Sequence, residues 1–257
     1  MCHPEIPPGQ PVPEVRTEEV AIPVGSGEKM PAHVALPESG RGPGVLVVHD
    51  VYGRSPFYEN VASRLAQAGF RAVLPELFFR LGSIPERTQE HAMARRARMD
   101  EHQALDDLGS AVDWLRGPGG AGPTGTVGFC MGGTFVLDLA ARKGDLATVC
   151  FYGFPAAAAN RRPAAAPAPL ELVGEIAGPI LAFWGDQDTA VGLDNVERLV
   201  QGLEARGVEL EHKIYPGLGH GFMAASGLDP ALPAYEAACD AWTRTIEFCR
   251  ARLAPAA

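Results

Sequence analysis

The chain has 257 residues, 46% hydrophobic and 21% charged, the profile of an ordinary globular protein with material for a sizeable core. Its 22 Lys and Arg against 31 Asp and Glu give a formal charge of −9 without a basic, aromatic-rich cluster, which argues against nucleic acid as a partner. No run approaches the roughly 18 apolar residues of a membrane span, so no membrane partner is expected.

The leader Met1–Pro13 is rich in proline and has no apolar run, so it reads as neither a secretory signal nor an anchor. The five cysteines (Cys2, Cys130, Cys150, Cys239, Cys249) form no C-x-x-C pair, and neither a disulfide framework nor a structural zinc site is expected. Free thiols fit a reducing compartment, and the expected localisation is cytoplasmic. Past the leader, Val20–Val24 and Ala32–Leu36 read as short strands around Gly25-Ser26-Gly27. Gly44–His49 is a continuous apolar run of the kind buried on both faces of a parallel sheet. Phe57–Gly69 carries apolar residues at helical spacing and stops on glycine.

Arg71–Leu74 is the next strand, and the charged stretch Glu86–Glu101 reads as one solvated helix ahead of a firmer one, His102–Leu115. Strand Gly125–Phe129, helix Gly132–Ala141, strand Ala147–Tyr152, strand Pro179–Trp184, helix Leu193–Arg206, strand Leu210–Tyr215 and helix Tyr235–Leu253 complete the series. This alternation predicts a single α/β domain over 1–257, a mostly parallel sheet covered by helices on both faces. The Ala/Pro-rich stretch 155–169 reads as a surface loop that leaves a strand end near any site.

Gly128-Phe129-Cys130-Met131-Gly132 sits between a predicted strand and a predicted helix, the setting of a G-x-nucleophile-x-G elbow with cysteine as nucleophile. The nucleophile occupies a strained turn, and small flanking residues let strand and helix approach. The turn aims the N–H of Met131 and the helix N-terminus at a developing oxyanion. Downstream come Gly185-Asp186-Gln187-Asp188 and Gly219-His220-Gly221-Phe222, each just past a predicted strand. Nucleophile, acid, histidine is the chain order of α/β-hydrolases. His220 is the candidate proton carrier, and Asp186 and Asp188 both qualify as its orienting acid. The G-x-G-x-x-G match over Gly117–Gly122 follows a helix and precedes a strand, the reverse of a nucleotide-binding context. His49 at its strand end and Trp184 beside the acid loop read as structural. No cofactor and no metal is implied.

Together, the segments His49–Gly53 (HDVYG), Gly128–Gly133 (GFCMGG), Gly185–Asp188 (GDQD) and Gly219–Phe222 (GHGF) make the chain resemble the dienelactone hydrolase family from about Pro43 onward. The resemblance implies an α/β-hydrolase fold without a large lid domain, and a Cys130-His220-Asp188 triad. It also implies an oxyanion hole from the N–H groups of Met131 and Val51. Asp50 stands where the family carries a thiol-modulating glutamate, and Tyr52 and Tyr152 are expected to touch substrate. Members that act on dienelactone carry an arginine at the position of Ala224, and Arg95, Arg96 and Arg98 do not align cleanly with the family's other carboxylate-binding arginine. The expected partner is therefore a small ester or lactone, and the expected assembly a monomer or small homo-oligomer. A thioesterase or biosynthetic hydrolase of different scope is the alternative, and a non-catalytic scaffold protein a more remote one.

Overall fold

Five strands, β3 (Gly44–Val48), β4 (Arg71–Pro75), β5 (Thr124–Phe129), β6 (Ala147–Phe151) and β7 (Ile180–Gly185), are buried at every position. They belong to a computed structural model that describes residues 14–25, 27–117, 123–157, 165–223 and 229–253. Unbroken burial requires cover on both faces, which is why these strands read as apolar runs and not as alternating ones. With β1 (Arg16–Pro23), β2 (Lys29–Leu36) and β8 (Leu210–Tyr215) they form one eight-stranded sheet, in the order β1-β2-β4-β3-β5-β6-β7-β8. β2 runs antiparallel to β1 and to β4, and every other pairing is parallel. The expected mostly parallel α/β sheet is what the chain forms.

Helices α1 (Pro56–Gln67), α3 (Glu101–Arg116), α4 (Met131–Arg142), α5 (Leu193–Ala205) and α6 (Tyr235–Leu253) cover this sheet. α1 packs on β2, β4 and β3, α4 on β5 and β6, and α6 on β5 through β7. Two expectations are corrected. β1 and β2 begin at Arg16 and Lys29, because Arg16 to Glu19 pair with Leu36 to His33, and Lys29 to Pro31 with Pro23 to Ala21, along the sheet edge. The helix of the charged stretch is shorter than expected. α2 covers only Gln89–Arg96, capped by Thr88 accepting from the His91 N–H at 3.3 Å. Asp100 then caps α3 by accepting from the Gln103 N–H at 3.1 Å. Each cap leaves its own residue extended, so the helix cannot run through it.

Phe129, Phe151 and Phe183 lie in register on β5, β6 and β7, with ring centroids 4.7 Å and 4.9 Å apart. Each such contact contributes about 0.5–1.5 kcal/mol beyond burial, and together they floor the C-terminal strand ends. The chain leaves β3 first to one side, for β4, and later resumes on the other at β5. That reversal opens the crevice where parallel sheets hold their sites. The leader 1–13, residues 118–122 of the glycine-rich match and residues 158–164 of the Ala/Pro-rich loop lie outside the described residues. That loop's described flanks are tied by the Leu170 N–H donating to the Pro155 carbonyl at 2.9 Å. Among the described residues no helix is long and apolar enough to cross a membrane.

Candidate active site

Cys130 sits between β5 and α4 with φ 56° and ψ −117°, a region where an L-residue is strained. Such a conformation costs about 1–3 kcal/mol and persists only when its surroundings impose it. They do so here by crowding. A Cβ on Gly128 would collide with the Gly132 carbonyl oxygen, and one on Gly132 with those of Val48 and His49. The Cys130 N–H donates to the Phe151 carbonyl at 3.0 Å, and the Cys130 carbonyl accepts from the Thr134 N–H at 3.1 Å as the first bond of α4. The side chain is left half-buried at the N-terminus of the helix. There the Met131 N–H belongs to the first turn, whose donors have no intrahelical acceptor.

The acid and histidine loops, at the ends of β7 and β8, converge on this elbow. His220 Nδ1 donates to Asp188 Oδ2 at 2.7 Å, and the Cys130 side chain interacts with the same imidazole, whose remaining nitrogen is Nε2. Asp188 is 4% exposed, and its Oδ1 accepts from the Val191 N–H at 3.1 Å, so both carboxylate oxygens are engaged. Burial opposes a charge on His220, but hydrogen bonds to Asp188 and Cys130 and their negative charge outweigh it and push the imidazole up to about 10. Asp186 faces elsewhere: its Oδ1 accepts from the Gly217 N–H at 2.6 Å and from Gln187 Nε2 at 3.1 Å, tying the two loops together.

The third component follows β3. The first turn of α4 lies against the Val48 and His49 carbonyls, which brings the Asp50–Gly53 turn beside Met131. Within that turn Asp50 Oδ1 accepts from the Tyr52 N–H at 2.8 Å, and burial together with the nearby Asp50 charge pushes the Tyr58 hydroxyl well up. Among the described residues the Val51 N–H has no backbone acceptor. Tyr152 follows β6 with φ 41°, buried, its ring centroid 5.0 Å from that of His220. Tyr52 is half-buried under the Arg87 guanidinium at 5.2 Å and lines a cavity of about 300 Å³ together with Glu76, Phe78, Arg87 and Arg95.

Sequence reasoning missed Tyr58 and Phe154, whose ring lies 5.2 Å from that of His220. Neither sits in a motif, since one is a helix residue and the other follows a strand end without a marker. Trp184 is buried and donates to the Gly153 carbonyl at 2.9 Å, the structural part expected of it. Of the three upstream arginines, Arg98 is exposed, Arg96 pairs with Glu101 at 3.3 Å, and Arg95 lies under the Val51 turn. Ala224 lies outside the described residues.

Known proteins resemble this chain over most of its length. The sequence pattern of the Dienelactone hydrolase family matches residues 30–253. A carboxymethylenebutenolidase of Rhodococcus opacus is 34% identical over 215 residues, 83% of each chain. Carboxymethylenebutenolidase 2 of Cupriavidus pinatubonensis is 33% identical over 185 residues, 72% of this chain and 75% of that one. A Klebsiella pneumoniae crystal structure with a provisional dienelactone hydrolase name superposes with a TM-score of 0.81 at 29% identity, covering 91% of this chain and 98% of the other. An α/β-hydrolase sheet whose strand ends gather these motifs, and a family match over most of its length, make this chain a hydrolase that belongs to the dienelactone hydrolase family.

Proposed function

We propose that the chain cleaves activated esters, enol lactones or thioesters by two-step acyl transfer through the thiolate of Cys130. The observation that carries this reading is His220, paired with Asp188 at 2.7 Å and placed where the Cys130 thiol acts on its imidazole. The thiolate attacks the carbonyl carbon, and the carbonyl π pair moves onto oxygen, where the N–H groups of Met131 and Val51 hold it. As the tetrahedral adduct collapses, the bond to the leaving group breaks and the His220 Nε2 proton passes to the departing atom. Water then attacks the thioester while Nε2 takes its proton, and the second collapse expels the Cys130 sulfur as thiolate. Asp188 keeps the imidazole oriented and stabilises its cation throughout.

A thiol nucleophile narrows the substrates. Its adduct partitions by leaving-group basicity, and thiolate departs more readily than an ordinary alkoxide. Enolates, phenolates and thiolates compete with it, whereas simple alkoxides and amines do not. Ala224, at the family's carboxylate-clamping position, favours neutral over anionic members of this set, the feature that keeps a thioesterase or biosynthetic scope open. Hydrolysis measured across enol lactones, aryl esters, acyl thioesters and alkyl esters tests the reading. Turnover of the first three and not the last, abolished by Cys130→Ala, is expected. Activity that survives Cys130→Ala would overturn it.

A further inference from the structure

The Val51 N–H belongs to the peptide unit whose carbonyl is that of Asp50. In a trans peptide the two point in opposite directions, so whatever fixes the Asp50 carbonyl aims the Val51 N–H. That carbonyl accepts twice, from His49 Nδ1 at 2.8 Å and from the Gly53 N–H at 3.2 Å. His49 is fully buried, stacked 5.6 Å from Phe78, and its Nε2 accepts from the Leu77 N–H at 3.2 Å. A backbone donor on Nε2 and a backbone acceptor on Nδ1 assign the ring's proton to Nδ1, and the ring bridges the loops after β3 and β4.

The next peptide unit is fixed as well. Arg95 Nη2 donates to the Val51 carbonyl at 3.2 Å and Nη1 to the Gly82 carbonyl at 3.0 Å, with the guanidinium 3.8 Å over the Phe78 ring. Arg95 is 7% exposed, and a Cβ on Gly53 would come within 3.0 Å of Nη2. A buried guanidinium spent on two carbonyls is poorly placed to release them for a substrate anion. Both peptide planes that flank Val51 are therefore clamped through their carbonyls, and the Val51 N–H is the group left over.

We infer that His49 and Arg95 are positioning residues that hold the Val51 N–H in line with the oxyanion formed at Cys130. Neither touches the reacting atoms. The inference rests on the proposed thiolate mechanism and adds to it two residues outside the triad. Reaction through a mispositioned donor loses rate without losing ground-state affinity.

The experiment compares wild type, His49→Leu, His49→Asn and Arg95→Met on a neutral aryl ester. Alongside kcat and KM it follows inhibition by a trifluoromethyl ketone, whose thiol adduct carries an oxyanion, and inactivation by iodoacetamide, whose adduct carries none. His49→Leu and Arg95→Met are expected to lower kcat about ten- to a hundredfold with KM nearly unchanged. Trifluoromethyl ketone affinity should fall in step while the iodoacetamide rate holds. His49→Asn, whose amide can occupy the place of Nδ1–H, should recover most of kcat. If His49→Leu does not fold, Arg95→Met and Arg95→Lys carry the same comparison. An iodoacetamide rate that falls as far as kcat, or an effect confined to KM for substrates with a free carboxylate, overturns the inference. Failure of the mechanism itself reads differently: wild type would keep its activity after Cys130 is alkylated.

Discussion

Cys130 is half-buried beside an imidazole; Cys239 is also half-buried, but burial raises its thiol, and Cys150 and Cys249 are fully buried and pushed up to about 12 by burial. Iodoacetamide should therefore label Cys130 first, with activity lost in proportion. Peptide mass spectrometry that finds full activity with Cys130 alkylated would exclude it as nucleophile. The two aspartates separate for a geometric reason. In Asp188→Asn the retained oxygen stays on the Val191 N–H, so the new amide faces His220 Nδ1, donor against donor, and drives the imidazole to the wrong tautomer. That variant should lose about three to four orders of magnitude in kcat. Asp186→Asn still accepts from the Gly217 N–H and should change kcat little. Steady-state kinetics giving the reverse ranking would assign the acid to Asp186. The same pair sets a pH dependence. The His220 value of about 10 lies above the roughly 6.5 of an unfolded imidazole. Its contribution to stability is thus complete below pH 6.5 and disappears as pH rises through 10. The difference in urea midpoint between wild type and Asp188→Asn should shrink across that range, and a difference independent of pH would contradict the coupling.

At the scale of elements, the elbow depends on how closely β5, α4 and the end of β3 approach. Gly132→Ala would place a methyl group against the Val48 and His49 carbonyl oxygens, backbone atoms that cannot rotate away. A loss of about 1–3 kcal/mol is expected, read as a lower denaturation midpoint, together with loss of activity as the Cys130 turn relaxes. A stable and fully active Gly132→Ala would show that the strained turn is not needed. This approach was legible in the sequence because only glycines permit it, and the buried strands were legible because their cover makes them apolar throughout. The extra residues of β1 and β2 were not, since a sheet edge recruits polar residues through backbone pairing alone. Two helices were legible here, but not that the first stops at Arg96, because Asp100 caps the second from inside a charged run, where one more acidic residue carries no contrast. In the site, Cys130, His220 and Asp188 sit in motifs with glycine markers. Tyr58, His49 and Arg95 act across loops distant in sequence, and no spacing rule brings Arg95 beneath Val51.

For the molecule as a whole, substrate charge is the open variable. The chain carries a formal −9, so an anionic substrate approaches against the protein's field, while a neutral ester is indifferent to it. In the family, binding of a carboxylate is helped by an arginine at the position of Ala224, and a charge-assisted contact contributes roughly 1.5–3 kcal/mol. At about 1.4 kcal/mol per decade, its loss should lower kcat/KM for an anionic lactone about ten- to a hundredfold, and leave the methyl ester of the same compound unaffected. The two contributions can be told apart. Repulsion by the whole field is screened over about 10 Å at 0.1 M salt, so raising ionic strength should lift the free acid's kcat/KM and hardly move that of the ester. The missing clamp is local, and only Ala224→Arg should restore the remainder, chiefly through KM. Kinetics on the matched free acid and methyl ester at low and moderate salt decide between them. A wild type that already prefers the free acid at both would mean that a cation near Tyr52, with Arg87 foremost, grips the carboxylate, and that Ala224 does not set substrate choice.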